Sequence, residues 1–302
     1  YKGNDKFVTS QIEAVMNDSF VAGNLAGNLE NGYVDLIYSF AVEDKIPQEL
    51  KDEVAALKAG IIAGEIVTVP AAPAEEAVDL GTVVIGTNAE YPPFENVVED
   101  GNIIGCDVDL MTAIADEAGF EFEWVNTRWD GIFVALASGE FDAVISAATI
   151  TAERAETVNF SDPYFDAGQA ITVRADETEI ETPEDLAGKR VGVQLGTTGD
   201  IWLTDETEAE VVRYDENTLA FQALANGDVD AAVADNTTAI ELVKANPEMN
   251  LKFLPTVYTK EQYGIAVNMD RADLLQAINT GLAAVMESGK YDEIYAKYFG
   301  TE

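Results

Sequence analysis

The chain has 302 residues, 47% of them hydrophobic and 24% charged, an ordinary globular composition with length enough for two domains or more. Its charge is less ordinary: 56 Asp and Glu against 17 Lys and Arg leave −39, which argues against nucleic acid or anionic membrane as partner. No His and a single Cys exclude histidine-based catalysis, most zinc sites and an internal disulfide, and no apolar stretch is long enough to span a membrane.

The acidic excess reads as a solvated surface suited to a high-salt habitat, the alternative being a field that steers cationic solutes. The chain starts at Tyr1 with neither Met nor a signal peptide, so the expectation is a fragment or processed form whose address segment is missing. Within residues 1–70, YVDLIYSF predicts a strand, and a helix is expected from about Pro47 with Leu50, Val54, Leu57 and Ile61 on one face. AAPAEEAVDL, residues 71–80, is a linker: Ala/Pro-rich, acidic and without a helical apolar face.

TVVIG at 82–86 predicts a buried strand, followed by the loop TNAEYPPFE and a hairpin around Asp100-Gly101. A helix with Leu110, Met111, Ile114 and Ala118 on one face stops at Gly119, and Cys106 near its start reads as a small apolar helix residue. Next come the strand FEFEWV, the helix WDGIFVALA, and DAVISAATITAER, a buried strand running into the first turn of a helix that starts at Thr151. QAITVRA predicts a strand leaving this first lobe. The second begins near Thr182 with a short helix ended by Gly188, and continues through the strand and helix start of KRVGVQLGTTGDIWL into the helix–strand–helix of residues 217–243. YGIAVN returns the chain to the first lobe, which two helices complete. Crossings near 172 and 264 are what a hinge needs.

One unit occurs twice. FVALASGEFDAV (133–144) and FQALANGDVDAA (221–232) each give an amphipathic helix end, a Gly stop, an acidic residue and a buried strand opening Asp-Ala. Two similar α/β lobes follow, each with a strand end available to a shared cleft.

A few residues sit oddly for structure alone. Arg154 places a cation in a helix first turn, against the dipole, which suggests a carboxylate ligand held by free N–H groups and a guanidinium; the alternative is a surface Arg paired with Glu153 or Glu156. Thr198 in GTTGD is either a helix cap or a second donor to that carboxylate. The same loop lacks the Lys of a phosphate loop, and Gly192, Gly196 and Gly199 lack dinucleotide spacing. Asp235, closing VDAAVA ahead of NTTA, either caps the next helix or accepts from an ammonium group. Tyr91 and Trp129 lie just beyond strands, where each is either core or one face of an aromatic sandwich.

From about 81 to 302 the motifs GTNAEYPPFE, GCDVDLMTAIA, WDGIFVALASGEFDAVISAATITAER, NFSDPYF, VGVQLGTTGD, NGDVDAAVADN, YGIAV and GKYDEIYAKYFG resemble, in order, the polar amino-acid-binding proteins of ABC importers. The resemblance implies an α/β fold of two lobes, the type II periplasmic-binding architecture with a two-crossover hinge. Lobe 1 is then residues 81–172 and 265–302, and lobe 2 is 173–264. It implies that Arg154 and the backbone of Thr149 hold an α-carboxylate with help from Thr198, and that Asp235 takes the α-ammonium with the Ala147 carbonyl nearby. Tyr91 and Trp129 would sandwich the side chain, with Asn88 and Gln194 at its far end. A neutral Asn88 departs from the Asp frequent in members that bind cationic side chains, and Ala147, Ala148 and Cys106 also depart from the usual pattern.

The implied function is extracytoplasmic capture of a free polar amino acid, with an amide or cationic side chain, for delivery to an ABC permease. The expected form is a monomer, periplasmic or lipid-anchored, without enzyme activity, cofactor or metal. Rival expectations are a cyclohexadienyl or arogenate dehydratase on the same scaffold and the ligand-binding domain of a sensory receptor. Separately, PQELKDEVAALKAGIIAGEIVTVP resembles the C-terminal end of the basic-membrane-protein family of solute-binding lipoproteins, so residues 1–70 are expected to be a small α/β segment with no ligand residues carried over.

Overall fold

A computed structural model describes residues 80–300. The strand and helix expected within residues 1–70, and nearly all of the linker, lie outside the described residues. Two five-stranded sheets with the same plan organise the rest. In the first, β1 (Val83–Thr87) lies between β5 (Phe122–Asn126) and β6 (Ala143–Val144), parallel to both. β15 (Ala266–Val267) adds antiparallel to β6, and β7 (Asn159–Phe160) antiparallel to β15. In the second, β10 (Arg190–Gln194) lies between β11 (Glu210–Tyr214) and β12 (Ala231–Asp235). There β9 (Gln169–Arg174) adds antiparallel to β12, and β13 (Leu251–Val257) antiparallel to β9.

The repeated sequence falls on equivalent parts of the two sheets. α2 (Ile132–Ser138) ends at Gly139 and α4 (Asn217–Asn226) at Gly227, both left-handed at φ 85° and 82°, which lets each helix reverse into β6 or β12. Asp142 and Asp230 do the same job: the Asp142 carboxylate accepts from Val84 N and that of Asp230 from Arg190 N, so they fasten β6 to β1 and β12 to β10. Arg271 also pairs with Asp142.

The first lobe's core forms where α1 (Cys106–Ala118) and α6 (Ala272–Glu287) pack on β1 and β6. Leu110, Met111, Ile114, Leu274 and Ile278 are fully buried there, each such side chain contributing about 1.5–3 kcal/mol. The Cys106 thiol joins this core, and burial pushes its pKa up. α7 (Lys290–Phe299) adds Tyr295 and Phe299 to an aromatic cluster with Phe94 and Phe165. In the second lobe α3 (Thr198–Glu206), α4 and α5 (Asn236–Ala245) flank the sheet. Among the described residues no helix is long and apolar enough to cross a membrane.

Between the lobes, β8 (Phe165–Ala167) and β14 (Glu261–Tyr263) run antiparallel as a two-stranded link. This moves the first crossing from the expected 172 to Gly168: Gln169–Arg174 is an interior strand of the second sheet and does not belong to the first lobe. A Cβ on Gly168 would sit 2.3 Å from the Thr259 carbonyl, so the two crossing chains approach closely only with glycine there.

Three further expectations change in detail. The Thr182 helix is a short 3₁₀ turn, Pro183–Leu186, with a capping box between Thr182 and Asp185. The loop TNAEYPPFE contributes β2 (Glu90–Tyr91), and with β3 (Glu95–Val97) and β4 (Ile103–Ile104) makes a small antiparallel sheet. After Thr151 there is no α-helix, only the three-residue 3₁₀ turn Arg154–Glu156, because β7 begins at Asn159 and strand pairing claims the chain. A turn this short offers no helix N-terminus to an anion.

Candidate functional site

The carboxyl ends of β1, β6, β10 and β12 face a cleft between the lobes with about 440 Å³ of empty space, part of it open to solvent. All nine residues singled out in the sequence line it: Asn88, Tyr91, Trp129, Ala147, Thr149, Arg154, Gln194, Thr198 and Asp235.

Asp235 is not a helix cap. It stands at the N-cap position of α5, yet its side chain makes no cap bond. The carboxylate instead accepts from Tyr91 Oη at 2.9 Å, from Tyr263 Oη at 2.5 Å, and from Gln169 Nε2. Burial, then the charge of Glu261, lift its pKa to about 6 against those bonds.

Arg154 turns away from the surface role. Nη1 donates to the Thr149 carbonyl at 2.7 Å and Nη2 to the Gly196 carbonyl of the other lobe at 3.5 Å. Its guanidinium carbon lies 5.2 Å from the Trp129 ring centre and 4.5 Å from that of Phe133. Burial pulls its pKa down to about 10, against the attraction of Asp235, Glu261 and Glu153.

The other residues are held in place from behind. Asn88 donates through Nδ2 to Thr127 O at 3.0 Å, and its Oδ1 accepts from Gln194 Nε2 across the cleft at 3.4 Å. Tyr91 stacks on Phe94 with ring centres 6.3 Å apart, and Trp129 meets Phe133 edge-on at 5.5 Å. Ala147 has a left-handed backbone, φ 44°, which costs energy for a residue with a Cβ. The buried Asp107 offsets that cost by accepting from Ala147 N at 2.7 Å. Thr197, not Thr198, caps α3 by accepting from Asp200 N. The Thr198 hydroxyl is thereby left to the cleft.

Sequence reasoning missed several residues of this cleft. Glu95 lies under it, with Oε1 accepting from Ser146 Oγ at 2.9 Å and the Asp107 carboxyl close enough for each to affect the other. Burial and Asp107 push Glu95 well above the usual carboxylate range, and burial lifts Asp107 to about 6. Gln169, 1% exposed, and Glu261 sit at the two crossings, and Asn217 lines the cleft with its buried Nδ2 unpartnered. The PPFE and GCDVD motifs held the signal for Glu95 and Asp107. Nothing local marks Gln169 or Glu261, since their importance comes from where the chain crosses.

The sequence also matches known proteins. Residues 83–301 match the family model of bacterial extracellular solute-binding proteins, family 3. A probable histidine-binding protein of Neisseria gonorrhoeae is 38% identical over 224 residues, covering 72% of this chain and 83% of that protein. An ancestral arginine-binding protein, solved with arginine and with glutamine, is 44% identical at a TM-score of 0.70, covering 73% of this chain and 99% of the other. An ancestral amino acid-binding protein that is a precursor of cyclohexadienyl dehydratase is 38% identical at a TM-score of 0.67, covering 72% and 95%.

Proposed function

The chain belongs to family 3 of the bacterial extracellular solute-binding proteins, and from that premise we propose that its cleft captures a free polar amino acid and presents it to an ABC permease. The observation that carries this is the placing of Arg154 and Asp235, from different lobes, on one cleft, where the guanidinium feels the charge of the buried Asp235. An amino acid carries one carboxylate and one ammonium, and this pair complements both. Arg154 and the main chain near Thr149 take the carboxylate; Asp235, held by Tyr91, Tyr263 and Gln169, takes the ammonium. Asn88, Gln194 and Asn217 offer amides to a polar side-chain end, beside the Tyr91 and Trp129 rings. The ligands named for the relatives, histidine, arginine and glutamine, agree with this polarity.

Binding is coupled to closure because the ligand contacts both lobes and so favours the form in which they meet. The protein acts outside the cytoplasm as a monomer, and the permease is its membrane partner. The test is calorimetric titration of the full chain with the twenty amino acids, alongside Asp235→Ala. Tight binding of one or a few polar amino acids, weakened about 100-fold or more in the variant, is the expected outcome. No binding to the folded chain overturns the reading. Product formation from prephenate or arogenate would instead favour the dehydratase alternative that the precursor relative raises, with the buried Glu95 as its candidate acid.

A further inference from the structure

Glu261 stands on β14, the strand by which the chain returns to the first lobe. Its Oε2 accepts from Thr149 Oγ1 of the first lobe at 2.8 Å and from Thr198 Oγ1 of the second at 2.7 Å. Its Oε1 accepts from Thr259 Oγ1 at 2.6 Å and from Gln169 Nε2 at 3.0 Å. One carboxylate thus gathers four donors, and a single oxygen joins the lobes. Gln169 is the counterpart on the other crossing: its amide nitrogen reaches Glu261, Asp235 and Thr198 Oγ1, the last at 3.2 Å.

We propose that Glu261 is a latch built into the hinge, which ties Thr149 to Thr198 and so draws the lobes together before any ligand arrives. The proposal rests on the reading of this cleft as the ligand site, and it adds a positioning residue to that site. Each threonine hydroxyl has one proton and gives it to Glu261, so neither hydroxyl donates to a ligand carboxylate in this arrangement. The ligand's carboxylate is left to Arg154 and main-chain N–H groups, while the hydroxyls hold the lobes in register. Thr149 already lies beside Glu261, because Ile150 N donates to Gln262 O at 2.8 Å, so it is the Thr198 bond that forms only when the lobes meet. Repulsion between Glu261 and Asp235 is countered by the Arg154 guanidinium, which feels both charges, and by the Gln169 amide between them.

The test measures lobe separation in the full chain without ligand. Spin labels go on Glu117→Cys in the first lobe and Glu206→Cys in the second; both sites are exposed and the native Cys106 is buried. Double electron–electron resonance is expected to show a closed population that falls about tenfold in Glu261→Ala and is partly restored in Glu261→Gln, which keeps an acceptor for the hydroxyls. Should the alanine variant not fold, Thr149→Val with Thr198→Val severs the same two bonds and is expected to give the same loss. Identical ligand-free distributions in the parent and the severed variants would overturn the latch, as would a parent that is wholly open. Adding amino acids to the same samples separates the two ideas: if none shifts any distribution, the amino-acid reading fails while the ligand-free comparison still decides the latch.

Discussion

Glu90 illustrates how a single side chain makes closure depend on pH. It reaches from β2 of the first lobe toward Glu216, the residue before α4 of the second, and its buried Oε2 has no hydrogen-bond partner. Burial first, then Glu216, raise its pKa from 4.5 to about 7, while Arg128, itself paired with Asp215 at 2.8 Å, pulls the other way. Glu90 loses both raising influences when the lobes part, so closing takes up a proton. Because the closed-form pKa is the higher one, the closed form gains as pH falls from above 7 toward 4.5 and loses as pH rises through 7. Calorimetry of ligand binding at pH 7 in two buffers of different ionisation enthalpy is expected to show net proton uptake, abolished by Glu90→Gln; equal heats in both buffers would refute it. Local chemistry made Arg154 and Asp235 stand out in the sequence, since a cation opposing a helix dipole and an acid at a strand end are unusual. Glu90 and Glu216 gave no such signal, because each is an ordinary surface acid until the other lobe arrives.

At the level of elements, the repeated Asp-Ala is the most legible feature of the chain and has a structural cause. Asp142 fastens β6 to β1 through Val84 N and Arg271, and Asp230 fastens β12 to β10 through Arg190 N. Asp142→Ala removes a charge-assisted bond to a strand N–H together with an ion pair, and is expected to lower stability by about 1.5–3 kcal/mol. Asp230→Ala costs less, about 1 kcal/mol, because its Arg190 partner lies 3.9 Å away and is half exposed. Denaturant unfolding of both variants checks the order, and an Asp230 effect larger than that of Asp142 would count against this account. Strands, helices and glycine stops were readable here because each depends on neighbours within a few residues. The Thr151 helix was not, since Arg154–Glu156 has local helical signals that strand pairing at Asn159 overrides.

For the molecule as a whole, charge sets the conditions under which all of this holds. A net −39 makes the folded chain repel itself, and at about 1 M salt the Debye length shrinks to roughly 3 Å. Raising KCl from low concentration to that level is expected to increase the melting temperature steadily, and a flat or falling profile would remove the link between the acidic surface and a saline habitat. Exposed interlobe pairs such as Arg128–Asp215 weaken under the same conditions, whereas the bonds of the buried Asp235 persist. What the sequence by itself determined is the α/β alternation, the duplication, the family and the nine residues that line the cleft, because periodicity, turn chemistry and ordered motifs are written locally. What only the tertiary structure decided is the crossing at Gly168, the release of Asp235 and Thr198 from capping, and the joining of Thr149, Thr198 and Gln169 on Glu261. Those depend on contacts between segments up to 144 residues apart, and a hydrogen bond between distant segments leaves no periodic trace in either of them.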